Sequence, residues 1–162
     1  MIVESQAYAR AGLLGNPSDK YFGKAISISI KNFRARVSLQ RSPELQIEAQ
    51  GQDLNIYKDI HEFAERIDRY GYYGGERLIK AAIKKFYEHC LSQNISLQSK
   101  NFTLRYDSDI PRQVGLGGSS AIVTAALKGL MKFYNVSIPK EYLPNLILEA
   151  ELGELGISAG FQ

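Results

Sequence analysis

The 162-residue sequence predicts a single α+β domain, a sandwich in which a sheet assembled early in the chain is covered by helices that come late. Three observations carry this. Segments that alternate apolar and polar residues fall mostly in the first two thirds of the chain, and apolar residues at helical spacing dominate the remainder. The fingerprint of a doubly wound parallel sheet is also missing: Gly115-x-Gly117-Gly118 has neither the GxGxxG spacing nor a place in an N-terminal βαβ unit.

Residues 2–10 read as a first strand. The next twelve, 11–22, carry Gly12, Gly15, Asn16, Pro17, Ser18 and Asp19, and predict a long polar loop. Alternation over 24–30 and 33–40 predicts a hairpin turning at Lys31-Asn32 with one wet face. A short strand over 45–49 and a loop over 51–55 follow. A helix is expected over 58–69, with Ile60, Phe63, Ala64 and Ile67 on one side; His61 beside that face reads as a surface or packing residue.

The break at 70–75 is rich in tyrosine and glycine, suited either to a base or sugar pocket or to covering the core. From 76 to 91, Leu78, Ile79, Ala82, Ile83, Phe86 and Cys90 recur at helical spacing, with Glu76/Lys80 and Lys84/Glu88 as i,i+4 pairs. His89 sits near the end of that helix, where a cation suits the dipole. A strand over 102–106 leads to Pro111, which fixes its own φ and keeps Ile110 extended. A buried helix rich in Ala, Leu and Val is expected over 119–134, and Pro139 opens a last helix to about residue 152, broken by Gly153 and Gly156.

The stretch Gly115-Leu116-Gly117-Gly118-Ser119-Ser120-Ala121 joins strand to helix. Three glycines within four residues permit positive φ and close backbone approach, while the first amides of the helix point into one concavity and add a positive partial charge. That is the chemistry of an anion cradle, with simple serine capping of a helix as the alternative. No lysine precedes the serines, so this is not a Walker A loop and positive charge comes from elsewhere.

Composition is that of a soluble globular domain, 44% hydrophobic and 23% charged. A net charge of +3 suits an anionic small molecule but is too diffuse for nucleic acid, since Arg34, Arg36 and Arg41 make only a short basic patch. The single cysteine, Cys90, falls in an apolar helical pattern and reads as a buried inert thiol. No basic and apolar leader and no stretch of membrane-spanning length occur, which predicts a cytoplasmic protein without a membrane partner.

Three separated features supply the parts of phosphoryl transfer: Arg10 with the loop from Gly15 to Asp19, the glycine loop, and Glu149-Ala150-Glu151. The set resembles the GHMP kinases, the superfamily of galactokinase, homoserine kinase and mevalonate kinase, over nearly the whole chain. Arg10-Ala11-Gly12-Leu13-Leu14-Gly15-Asn16-Pro17-Ser18-Asp19 resembles the first motif, and Pro111-x-x-x-Gly115-Leu116-Gly117-Gly118-Ser119-Ser120-Ala121 the second. Within the superfamily, the run from Gly15 to Tyr21, Ile110-Pro111-Arg112-Gln113, and the ending from Glu154 to Gly160 look most like glucuronokinases and related sugar 1-kinases.

The resemblance implies a ribosomal protein S5 domain 2-like sandwich. It implies ATP and Mg²⁺ as cofactors and a sugar or sugar acid, glucuronate-like, phosphorylated at its anomeric hydroxyl. Residues 115–121 would grip the nucleotide, Ser120 and Glu151 would hold the metal, and Arg10 would balance charge at the transferring phosphate. Glu149 and Glu154 are the alternatives to Glu151. Asn16 and Asp19 would bind sugar hydroxyls, with an Asx turn as the other reading of Asn16. A uronic acid would need a cation from Arg112, Lys20 or Lys24.

The family's catalytic Asp, where one is used, follows a segment resembling Gly160-Phe161-Gln162, and the sequence stops at Gln162. Residues 1–162 are therefore expected to be the N-terminal domain of a longer kinase, without its C-terminal domain and a poor catalyst alone. The rival reading is a binding module, either a sugar or nucleotide sensor that has lost turnover or an S5-like nucleic-acid domain.

Overall fold

The computed structural model describes residues 1–16, 18–21, 23–48, 56–70, 76–111 and 114–157. The chain runs β1 (Ile2–Leu14), a 3-10 turn (Ser18–Tyr21), β2 (Ile26–Ser42), β3 (Leu45–Ile47), β4 (Ile56–Tyr57), α1 (Ile60–Tyr70) and α2 (Arg77–Ser92). It continues through β5 (Asn101–Ser108), α3 (Gly118–Tyr134), α4 (Leu143–Leu148) and a π-helical turn (Glu149–Glu154). The predicted loop 51–55, the aromatic residues 71–75, Arg112, Gln113 and the ending 158–162 lie outside the described residues.

The strands form one sheet in the order β1-β2-β5-β3-β4, antiparallel except for the parallel pair β3/β5. Period-two alternation sends Ala7, Ala35, Val37, Leu39, Phe102 and Leu104 to one buried face. Over it lie Ile79, Ile83 and Phe86 of α2 and Val123, Leu127, Leu130 and Phe133 of α3. Phe102 meets Phe133 edge-on at 5.3 Å between ring centroids. The opposite face carries charge, with Arg36 bridging Asp107 at 3.1 Å and Asp109 at 3.0 Å. The predicted α+β class therefore holds, as two layers. No helix among the described residues is long and apolar enough to cross a membrane.

Several expectations are corrected. The hairpin predicted over 24–40 is one strand. β2 pairs with β1 along its length, and the partners jump from Tyr8↔Arg34 to Ala9↔Ile30, so residues 31–33 bulge out without reversing the chain. That same pairing extends β1 to Leu14, four residues beyond the predicted strand and into the predicted loop. Pro139 does not open the last helix: residues 139–142 form a turn closed by the Tyr142 amide on the Pro139 carbonyl, and Pro144 occupies the first helical turn instead. Glu76 and Lys80, read as an i,i+4 pair, are both buried, and Lys84 and Glu88 pair at 3.5 Å.

Two further side-chain expectations hold. Cys90 is buried, and burial pushes its thiol up to about 11, which keeps it protonated and unreactive at neutral pH. The His61 ring packs edge-on against Tyr87, whose hydroxyl lies 2.7 Å from its Nδ1.

The seating of α3 on the sheet depends on small residues. Ser5 of β1 donates to the Ala125 carbonyl at 2.7 Å, and a Cβ at Gly129 would stand 2.5 Å from Leu39 Cδ1 and 2.9 Å from Ser5 Oγ. A side chain there must push the helix off the sheet. Gly129→Val is expected to destabilise the fold by about 1–3 kcal/mol, read from chemical denaturation midpoints, because overpacking outweighs any gain in helix propensity. Unchanged stability would contradict this packing.

Candidate active site

The glycine loop lies between β5 and α3. Gly115 and Gly117 both adopt left-handed backbone, at φ 78° and 63°, and Gly117 is the N-cap of α3. No side chain caps the helix, so capping by Ser119 or Ser120 is not what the serines do. They are the second and third residues of α3 itself, in its first turn. The helical ladder starts with the Ala121 amide on the Gly117 carbonyl at 3.0 Å, so the amides of Gly118, Ser119 and Ser120 precede it. Two left-handed glycines flanking Leu116, followed by a helix start, form a concave run of N–H donors with the dipole of a 17-residue helix behind it.

Arg10 is seated on this loop. Its amide donates to the Leu116 carbonyl at 3.0 Å, tying β1 to the loop. Its side chain runs under Gly117, where a Cβ would stand 3.0 Å from Arg10 Cγ and 3.3 Å from its Nε. Glycine is thus required at 117 both by its positive φ and by the arginine beneath it. Gly118 has ordinary backbone, and its nearest neighbour, Ile110 Cγ2, leaves room for a methyl group at 3.5 Å.

Glu151 approaches from the other side, on the π-helical turn that the sequence reading took for a plain helix. Ser120 Oγ donates to Glu151 Oε2 at 2.7 Å, and Thr124 Oγ1 donates to the Ser120 carbonyl at 2.6 Å. Glu151 is 1% exposed, and its Oε1 has no hydrogen-bond partner among the described residues. Of the three carboxylates in question only Glu151 reaches Ser120: Glu149 is exposed, and Glu154 turns to α2, where Lys85 meets it at 2.8 Å and Lys84 at 3.3 Å.

The donor set fits Mg²⁺. A hydroxyl and a carboxylate lie adjacent, and a second carboxylate oxygen is buried without a donor, a costly arrangement that a cation relieves. Among the described residues no cluster of three or more His, Cys, Asp or Glu could hold a metal on its own. This suits Mg²⁺, which takes one or two protein ligands and completes its shell with phosphate and water.

The structure thus brings together Arg10, the loop from Gly115 to Ala121, Ser120 and Glu151. It does not bring in Asn16, which is exposed in the turn after β1 with no hydrogen bond to the loop among the described residues. Asp19 falls in the 3-10 turn, and its side chain, like that of Lys20, lies outside what is described. Lys24 is exposed.

A sequence profile described as the GHMP kinases N terminal domain matches residues 77–162. Two curated proteins of Arabidopsis thaliana are similar over 99% of this chain: probable glucuronokinase 2, 51% identical, and glucuronokinase 1, 48% identical. The chain covers 44% and 45% of them, so it spans under half the length of these relatives. The crystal structure of the Methanococcus jannaschii mevalonate kinase superposes with a TM-score of 0.73 over 98% of this chain and 48% of that one, at 22% identity, a likeness of fold. The profile match takes in α2, β5, the glycine loop, α3 and the π-helical turn, more than half of the sequence, and on that ground the chain belongs to the GHMP kinases.

Proposed function

We propose that this chain is the ATP-binding, N-terminal domain of a sugar 1-kinase that phosphorylates the anomeric hydroxyl of a glucuronate-like sugar acid. The observation that carries the reading is the Ser120–Glu151 pair at the foot of the glycine loop, with Glu151 Oε1 buried and without a donor. The sugar class is supported by 51% and 48% identity to two glucuronokinases across the chain, including the segment with Asn16 and Asp19. The greater length of those relatives supports a second domain in the working enzyme.

In this reading the chain contributes positioning and charge. The amides of Gly118, Ser119 and Ser120 hold the phosphate oxygens in the concavity above α3. Ser120 Oγ and Glu151 are the protein ligands of Mg²⁺. Bound MgATP supplies the phosphoryl group and a divalent charge against its developing negative charge. Arg10 adds a fixed cation beneath the loop, and its backbone bond to Leu116 keeps the loop at one height above β1. Asn16 and Asp19 hold the acceptor's hydroxyls. A cytoplasmic location accords with this chemistry.

ATP affinity measured calorimetrically with excess Mg²⁺ and with a chelator tests the metal reading. The wild-type chain is expected to bind ATP more tightly with Mg²⁺, and Ser120→Ala and Glu151→Gln to lose about 10-fold or more of that gain while binding metal-free ATP as before. Retention of the full gain by Glu151→Gln would refute the site.

The two helix-start glycines separate fold from ligand. Gly118→Ala is expected to leave the melting temperature unchanged or raised, since the space exists and alanine is the better helix former by ~1 kcal/mol, yet to weaken ATP binding by crowding the phosphate. Gly117→Ala is expected to lower both, through its positive φ and the displaced Arg10. Equal ATP affinity of Gly118→Ala and wild type would argue against a phosphate at this backbone.

For the sugar, a pocket with a cation for the uronate carboxylate leaves that cation unpaired when glucose binds. The intact kinase is expected to prefer glucuronate to glucose by at least ~100-fold in kcat/KM. Comparable efficiencies would rule the carboxylate pocket out.

A further inference from the structure

We infer that Glu154, gripped by Lys84 and Lys85 of α2, is a positioning residue that sets the π-helical turn so that Glu151 meets Ser120; the inference rests on the reading of Ser120 and Glu151 as Mg²⁺ ligands.

The starting point is helix geometry. Glu151 and Glu154 are three residues apart, and at 3.6 residues per turn such positions lie only about 60° apart around an α-helix. Both carboxylates would then look the same way. The wider i→i+5 winding of the turn from Glu149 to Glu154 spreads them, so that Glu151 faces α3 and Glu154 faces α2. π-helical winding is rare and needs tertiary support, and besides the Ser120 hydrogen bond to Glu151 the turn is supported from outside at Glu154.

That support is specific. Glu154 Oε1 lies 2.8 Å from Lys85 Nζ and Oε2 lies 3.3 Å from Lys84 Nζ, so each oxygen takes one ammonium. All three side chains are largely shielded, at 14%, 17% and 12% exposure, unlike a loose surface pair. Lys84 also meets Asp68 of α1 at 2.8 Å and Glu88 at 3.5 Å, and Lys85 meets Glu88 at 2.8 Å, which fixes the two ammonium groups before Glu154 arrives. Burial alone would lower both lysines, but the hydrogen bonds from these carboxylates outweigh it and hold both above the ordinary lysine value.

The far end of the turn is fixed as well. Gly156, at φ 64°, reverses the chain so that its own amide reaches the Leu152 carbonyl at 3.1 Å and the Ile157 amide reaches the Glu151 carbonyl at 2.8 Å. This is a helix closure one residue wider than the usual one, matching the π winding. With the backbone of Glu151 held here and the turn's outer side held at Glu154, its carboxylate has one direction left, toward Ser120.

The test is the Mg²⁺-dependent gain in ATP affinity of the 162-residue chain, with metal-free ATP binding as internal reference. Glu154→Gln is expected to lose about 10-fold of the gain, the loss typical of removing an outer-shell partner of a metal ligand, with metal-free ATP affinity unchanged. Lys85→Met is expected to do the same and Lys85→Arg to retain the gain, which gives a second route if Glu154→Gln does not fold. If Glu151→Gln loses the gain while folded Glu154→Gln and Lys85→Met keep it, the positioning role falls and the metal site stands. If the wild type shows no gain, or Glu151→Gln keeps it, the metal reading falls and this inference falls with it.

Discussion

The seating of α3 against β1 decides where the glycine loop and the first turn of the helix lie relative to Arg10. It is held at two heights. In the body of the helix, the Ser5 hydroxyl reaches the Ala125 carbonyl, and the missing side chain of Gly129 lets Leu39 and Ser5 close on the helix. At its start, the Arg10 amide holds the Leu116 carbonyl, and Gly117 lies directly over the Arg10 side chain. A helix fixed at only one of these would still pack, but its first turn could ride along the strand. Fixed at both, the amides of Gly118, Ser119 and Ser120 occupy one place relative to Arg10, the precondition for any geometry-dependent use of that turn.

The same region is poorly arranged for stability. A helix start without a side-chain cap forgoes about 1 kcal/mol that Ser, Thr, Asp or Asn at the N-cap would give. Burying Glu151 with one oxygen unpartnered costs about 1–3 kcal/mol more. Neither the N-cap of α3 nor Glu151 Oε1 has a side-chain hydrogen bond among the described residues, whereas Arg36 on the wet face of the sheet meets two facing aspartates. The two breaches lie side by side, and both have the sign that an anion with a divalent cation would correct.

The sequence made the parts of this site legible but not their assembly. The glycine loop could be read because residue type carries its chemistry, while Arg10 and Glu151 are singled out by the resemblance of their motifs to a known family. The π-helical turn could not: Glu-Ala-Glu-Leu-Gly-Glu has no composition that distinguishes π from α winding, which is set by what the flanking carboxylates meet across α2 and α3. The hairpin was misread for a related reason. Lys31 and Asn32 are good turn residues, yet β1 continues past them and captures residues 26–30 as well, so a long partner strand turned a local turn signal into a bulge. The burial of Glu76 and Lys80 was not legible, because i,i+4 spacing says nothing about what covers that side of the helix.

The small number of protein ligands in the proposed Mg²⁺ site bears on the order of binding. Two protein groups, one hydroxyl and one carboxylate, would be few for holding Mg²⁺ against water without phosphate oxygens. In the proposed function the cation therefore arrives on the nucleotide, and phosphate in the cradle and metal on Glu151 are two halves of one binding event. The two halves belong to different elements, the start of α3 and the turn after α4, joined in the free chain by the Ser120–Glu151 hydrogen bond. That bond keeps the elements at ligand-bridging distance before the ligand is present. Were Ser120 and Glu151 to hold Mg²⁺, the two side chains would already stand side by side, and pre-placed groups leave more of the binding energy for holding the phosphates.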